Sequence, residues 1–127
     1  MELESDYYLS FQKNREFHNL IGKASEREFL IRDKEDNAIP FYQMENNAIH
    51  SMKPLAGLYA YLLPKGGNKF DIIYIGESEN FSETLLPDVI QKAFNKNYYL
   101  FIAIASGTDT NFRQSVVGKL LEQNPIV

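Results

Sequence analysis

Two short apolar runs separated by a glycine-containing turn stand out in the middle of the chain. Residues 58–63 read LYAYLL and residues 72–75 read IIYI, so both are rich in aromatic and aliphatic side chains typical of strands. The segment between them contains Pro64 and the pair Gly66-Gly67, residue types that favour a reversal of the chain. The pattern predicts a β-hairpin over residues 57–76, around which we expect the fold to be organised.

The pattern after the hairpin predicts a helix, a strand and a second helix. A polar, acidic segment over 77–83 precedes Pro87, which suits a first helical turn, and the predicted helix covers 87–95. Its apolar stripe consists of Val89, Ile90, Ala93 and Phe94. Residues 98–105 read YYLFIAIA, which is typical of a strand covered on both faces. The last helix is capped by Asp109 or Thr110. Its buried face comprises Phe112, Val116, Val117, Leu120 and Leu121.

The first 56 residues predict an extension that packs on this core. Phe17, Leu20 and Ile21 fall on one helical face, which predicts a helix near 8–23. Two strands, near 29–32 and 39–44, flank the charged turn 33–37, and Pro40 lacks an amide donor, so we expect its strand at a sheet edge. Residues 45–56 read as a linker. The fold class is therefore α+β: a small antiparallel sheet flanked by helices, in one domain with an extension, 1–56, and a core, 57–127.

The composition restricts the class of protein and the kinds of functional site that the chain can form. The chain has 127 residues, of which 44% are hydrophobic, as expected for one packed domain. It has no cysteine, which excludes disulfides, thiolate metal sites and cysteine nucleophiles and suits a reducing cytoplasm. The first ten residues are acidic and do not resemble a secretory signal. No apolar run approaches the roughly 20 residues of a membrane helix, so we expect no membrane association.

The charge of the chain argues against a polyanionic partner. The formal net charge is −4, and the basic residues are scattered and outnumbered along the sequence. Proteins that bind nucleic acids usually cluster Lys and Arg to displace counterions. We therefore expect a protein partner rather than DNA or RNA.

Two three-residue motifs on the predicted hairpin carry a resemblance. Gly57-Leu58-Tyr59 and Tyr74-Ile75-Gly76, with Ser78 and Asn80 downstream, resemble the paired signature of the GIY-YIG nuclease superfamily, with Leu in place of the first Ile. The resemblance covers 57–127 and includes the β-β-α-β-α order. It implies a binding cleft on the sheet, an Arg on the following helix that steadies a phosphate, and a Glu on the last helix that holds a divalent metal. The cleft residues would be Gly57, Tyr59, Tyr74, Gly76, Ser78, Asn80, Thr84 and Val117.

The chain departs from that pattern at both charged catalytic positions. Where the family places its Arg, this chain has Thr84, and where it places its Glu, this chain has Val117. An apolar side chain cannot hold a metal, so the resemblance implies a degenerate member without a cofactor. Mg²⁺ or Mn²⁺ enters only if nuclease activity survives. Losing either charged group normally costs a nuclease several orders of magnitude in rate.

Other charged residues could replace the missing pair, and each has a simpler interpretation. Arg113 shares a helix face with Val117 and could reach the cleft beside Tyr59 and Tyr74 as a catalytic residue, or it could be a solvated or ion-paired arginine. Acidic side chains near the second motif could form a carboxylate cluster or a solvated loop; they are Glu77, Glu79 and Glu83. Glu122 falls on another face of the last helix.

The remaining candidates have no supporting context. His18 and His50 lack metal-ligand spacing, so surface or packing roles are simpler. The serines have no nucleophile motif. Tyr59 and Tyr74 are equally compatible with a site and with cross-strand packing alone.

The sequence is compatible with three functions. The first is a non-catalytic, GIY-YIG-like domain that binds a protein partner, since folds outlive their chemistry. The second is a divergent metal-dependent endonuclease acting on DNA through Tyr59, Tyr74 and Arg113. The third is an unrelated α+β domain in which the two motifs are coincidental.

Overall fold

A five-stranded antiparallel sheet with helices on both faces forms the described part of the chain. The computed structural model describes residues 11, 27–44, 54–67 and 69–124. Within them lie strands β1 (Glu28–Arg32), β2 (Ala38–Gln43), β3 (Gly57–Pro64), β4 (Phe70–Ser78) and β5 (Tyr99–Ile104). The helices are α1 (Phe81–Thr84), α2 (Pro87–Asn95) and α3 (Thr110–Gln123). The sheet order is β1-β2-β5-β3-β4. The α+β prediction is confirmed, whereas the helix near 8–23, most of the linker, His18 and His50 lie outside the described residues.

Strands β1 and β2 form the first hairpin, as the sequence predicts, around a turn organised by Asp33. Its carboxylate is buried and accepts hydrogen bonds from the backbone amides of Glu35 at 3.0 Å and Asn37 at 2.9 Å. Asp36 adopts a positive φ of 66°, which a short polar residue tolerates in a turn. The charged residues of this turn thus satisfy the backbone where the chain reverses.

The prediction that Pro40 marks an edge strand is wrong. β2 lies between β1 and β5, with Pro40 opposite Leu30 of β1. The pairing of β2 with β5 covers only Tyr42 and Gln43. Pro40 therefore lies in the part of β2 without a β5 neighbour, where its missing amide costs no hydrogen bond to that strand.

Strands β3 and β4 form the predicted central hairpin. Gly66 and Gly67 adopt φ values of 99° and 61° in its turn, which explains the glycine pair. The register shifts between Tyr61 and Leu62, where β4 contains one extra residue. The sheet curls strongly enough that Phe29 of β1 and Phe70 of β4 meet with 5.4 Å between ring centroids.

The helix order differs from the prediction in one place. Residues 81–84, expected in a polar connecting segment, form the one-turn helix α1, capped by Asn80 through a 3.0 Å bond from the Ser82 amide. It forms there because Phe81 is fully buried and anchors the turn. α2 has the predicted bounds, but Val89 is exposed and does not belong to the buried stripe. The nine-residue helix buries only a narrow face around Ile90 and Ala93.

Helix α3 contacts both edge strands of the sheet, since Arg113 near its start bonds to Glu77 of β4 and its far end adjoins Arg32 of β1. Asp109 caps its start by accepting a 2.7 Å bond from the Phe112 amide, as predicted. Val116 and Leu120 are buried, and the other predicted apolar residues pack beside them. At its far end, Asn124 donates a 2.7 Å bond to the Arg32 carbonyl of β1.

The sheet has two faces, which we name here because they separate the candidate residues. Alternate strand residues point to opposite faces. The tyrosine face carries Tyr59, Tyr61, Tyr74, Gly76 and Ser78, and its centre packs against α1 and α2. The α3 face carries Leu58, Ala60, Leu62, Ile75 and Glu77 and packs against α3.

Candidate functional site

The β3–β4 register brings the two tyrosines of the sequence motifs together. Tyr59 lies directly opposite Gly76, and Tyr61 lies opposite Tyr74. The centroids of the Tyr59 and Tyr74 rings are 5.8 Å apart, and those of Tyr59 and Tyr61 are 6.0 Å apart. Cross-strand and alternating positions therefore build a cluster of three phenols on one face of the hairpin.

Gly76 is required by this cluster. A Cβ atom at Gly76 would lie 2.7 Å from Tyr59 Cζ and 2.8 Å from Tyr74 Cε2, closer than real Cβ contacts. Gly57 is similarly confined, because its Cβ would collide with the Ala103 carbonyl oxygen and lie 2.9 Å from Phe81 Cζ. Both motif glycines thus have a packing reason that is independent of any chemistry.

Two phenols of the cluster, those of Tyr59 and Tyr61, resist ionisation. Burial, the hydrogen bond with Tyr74 and nearby negative charge raise the pKa of Tyr59 well above its usual value of 10. Burial, followed by the influence of Tyr74, also raises the pKa of Tyr61. The Tyr61 hydroxyl is buried and has no hydrogen-bond partner among the described residues. A phenol in this environment is a poor source of tyrosinate at neutral pH.

Ser78, Asn80 and Thr84 form a hydrogen-bonded connection between β4 and α1. Ser78 Oγ lies 2.7 Å from Thr84 Oγ1 and accepts a 3.0 Å bond from the Asn80 amide. Asn80 Oδ1 accepts bonds from the Ser82 amide and from the Ser82 hydroxyl, the latter at 2.6 Å. These polar groups satisfy one another, so the S-x-N motif acts here as a strand-to-helix cap.

Arg113 lies on the α3 face, away from the phenols. Its side chain is 0% exposed, and its Nε lies 2.8 Å from Glu77 Oε1. Nη1 donates to the Thr108 carbonyl and, at 3.2 Å, to the Thr108 hydroxyl, and Nη2 donates to Thr110 Oγ1 at 3.1 Å. Each guanidinium nitrogen is therefore already bonded within the fold, which matches the ion-paired interpretation of this residue.

The other candidate residues are dispersed. Val117 is half-buried in the α3-face cluster, on the opposite side of the sheet from Tyr59. Glu79 and Glu83 are exposed, and Glu122 lies 3.8 Å from Lys34. In the part of the chain that the structure describes, no group of three or more His, Asp or Glu side chains could hold a metal ion.

The structure therefore divides the residues singled out from the sequence. It brings together Gly57, Tyr59, Tyr74, Gly76, Ser78, Asn80 and Thr84 on the tyrosine face. It separates them from Arg113 and Val117. Tyr61 joins the cluster although no motif includes it; its i+2 spacing from Tyr59 is the signal that identifies it.

Comparisons with protein-family models, with curated proteins and with solved structures found no match to this chain. Of the helices in the described ranges, none combines the length and apolar character that crossing a membrane requires.

Proposed function

We propose that this chain is a non-catalytic binding domain, related in form to the GIY-YIG fold, that takes a protein partner on its tyrosine face. The observation that carries the proposal is the buried Arg113–Glu77 pair. The resemblance calls for a cation beside the paired tyrosines, and Arg113 was the candidate for that role. Its guanidinium is 0% exposed and bonded to Glu77, Thr108 and Thr110, so it cannot reach a phosphate on the tyrosine face.

The tyrosine face suits binding better than catalysis. The raised pKa values of Tyr59 and Tyr61 make both phenols poor sources of a tyrosinate nucleophile or base. A tyrosine side chain nevertheless combines a large apolar ring with a hydroxyl that can bond to a partner. Tyr74 is 46% exposed at the end of the cluster, on the edge strand β4. The Tyr59 ring packs against the Tyr74 ring on one side, so less side-chain entropy is lost when a partner covers Tyr74.

Nuclease activity provides the first test. Purified protein should not nick supercoiled plasmid in the presence of Mg²⁺ or Mn²⁺. The double variant Thr84→Arg with Val117→Glu should also remain inactive, because the new carboxylate would arise on the α3 face, across the sheet from Tyr59. Metal-dependent nicking that Tyr74→Phe abolishes would refute the non-catalytic proposal and favour the endonuclease.

Partner capture provides the second test. Immobilised protein should retain a polypeptide from native lysate, and Tyr74→Ala should lose it. The matched control is Leu30→Ala, which removes an equally exposed apolar side chain, 42% accessible, from the opposite edge strand. Retention by Tyr74→Ala together with loss by Leu30→Ala would place binding elsewhere and contradict the proposed site.

A further inference from the structure

The fold gathers basic residues, scattered along the sequence, at one end of the sheet. We call this region the basic end, and it comprises Arg27, Lys65, Lys69, Lys92 and Lys96. The first three surround the tip of the β3–β4 hairpin. The Lys65 amide donates a 2.9 Å bond to the Lys69 carbonyl across the turn. Arg27 places its Cζ atom 4.6 Å from the ring centroid of Phe70, the residue after Lys69.

The two remaining lysines reach the same end through the pairing of β3 with β5. Leu62, near the end of β3, lies opposite Tyr99, the first residue of β5. The turn that contains Lys96 directly precedes β5, so it lies beside the hairpin tip. Lys92 is one helical turn earlier in α2.

Few described carboxylates neutralise this end. Asp71 lies 3.3 Å from Lys65, and Glu28 accepts a 2.8 Å bond from the Tyr42 hydroxyl. Among the described residues, no carboxylate forms an ion pair with Lys69, Lys92 or Lys96, and all three are exposed. Within the described residues, the basic end therefore carries three lysine charges without an ion-pair partner.

Most of the described acidic residues lie at the other end of the strands. β2 begins and β4 ends there, and the adjoining turns and loops carry the carboxylates of Asp33, Glu35, Asp36, Glu77, Glu79, Glu83 and Asp109. Several basic residues at that end are already engaged, as in the pairs of Arg32 with Asp36 and Arg113 with Glu77. The described domain thus has opposite charge at its two ends.

The basic end is continuous with the tyrosine face. Phe70 and Ile72 pack in the cluster of the α3 face, so Asp71 between them points to the tyrosine face. The Lys65 ammonium, 3.3 Å from the Asp71 carboxylate, therefore lies beside that face as well. Leu63, opposite Asp71, is two residues beyond Tyr61. A polypeptide seated on Tyr74 therefore needs only a few more residues to reach Lys65.

We propose that the partner is an acidic polypeptide segment whose carboxylates dock on the basic end beside the tyrosine face. This inference rests on the proposed function and names the chemistry of its partner. Charge complementarity identifies an anion. A polypeptide fits better than a nucleic acid because a long, uniformly charged strand would extend from this small basic surface towards carboxylate-rich loops that repel it.

The test is a titration of the full chain with a short poly-glutamate peptide at low ionic strength, followed by amide NMR shifts. Binding should perturb the amides around Lys65, Lys69 and Lys96, and added salt should weaken it. Removing two charges with Lys65→Gln and Lys69→Gln should weaken binding about tenfold, as expected for two exposed charge pairs.

The matched control is Arg32→Gln with Lys34→Gln, which removes the same charge from the opposite end and should leave the affinity unchanged. Equal weakening by both double variants would overturn the inference, as would an oligothymidylate of similar length binding more tightly than the peptide. Absence of peptide binding would also overturn it. If Tyr74-dependent capture of a polypeptide persisted in that case, the proposed function would stand and only the acidic partner would be rejected.

Discussion

The Arg113–Glu77 pair allows a quantitative test of the argument that Arg113 is structural. Glu77→Gln removes the negative charge and preserves the shape of the side chain. The guanidinium, 0% exposed, would then be buried among the neutral oxygens of Thr108 and Thr110. Removing one partner of a buried ion pair costs about 3–5 kcal/mol of unfolding free energy. Because Glu77 retains 21% exposure, water can solvate part of the site, and we expect about 3 kcal/mol.

The opposite substitution should cost less. Arg113→Met removes the buried charge, fills much of the same volume with apolar atoms and leaves Glu77 partly solvated. We expect a loss of about 1–2 kcal/mol from the hydrogen bonds that disappear. The double variant should be close to Arg113→Met alone, which corresponds to a coupling of about 3 kcal/mol between the two residues.

Urea unfolding followed by far-UV circular dichroism measures these differences, and the chain's lack of tryptophan makes tyrosine emission the natural second probe. Glu79→Gln, an exposed neighbour on the same segment, is the control and should change stability by less than about 0.5 kcal/mol. A Glu77→Gln cost below about 1 kcal/mol would refute the reasoning, because a fully buried guanidinium cannot lose its anion so cheaply. A larger cost for Arg113→Met than for Glu77→Gln would refute it as well.

Two further predictions concern the tyrosine cluster. Gly76→Ala should destabilise the protein by about 1–3 kcal/mol in urea unfolding, because the new Cβ would collide with Tyr59 and Tyr74. The control, Gly118→Ala, has nothing within 4 Å of its Cβ and should stabilise α3 by up to about 1 kcal/mol. Equal effects of the two substitutions would contradict the packing argument. In an ultraviolet absorbance titration, Tyr59 and Tyr61 should ionise at a higher pH than ordinary tyrosines, because their pKa values are raised. Their contribution to stability is complete below the unfolded-state pKa of about 10 and is lost as the pH rises from there through the folded-state values. Tyr59→Phe should flatten this alkaline loss, and an unchanged profile would show that Tyr59 does not cause it.

The sequence determined those elements in which local pattern and tertiary environment agree. Glycines at positive φ determined the central hairpin turn, and Pro87 and Asp109 determined where helices α2 and α3 begin. Uninterrupted apolar character marked β5 as a strand buried on both faces, as its fully buried centre confirms. In each case the deciding interaction lies within a few residues along the chain, so a one-dimensional pattern contains it.

The strand order and the distribution of charge were decided only by the tertiary structure. Pro40 indicated an edge strand, yet the pairing of β2 with β5 stops short of it and lets the strand lie inside the sheet. The spacing of Arg113 and Val117 suggested a place in the cleft, but which face of a sheet a helix covers depends on long-range packing. Val116 and Leu120 hold α3 to the face opposite Tyr59. Lysines from separate elements meet at one end for the same reason, because pairing between distant strands, and not sequence proximity, sets which side chains become neighbours.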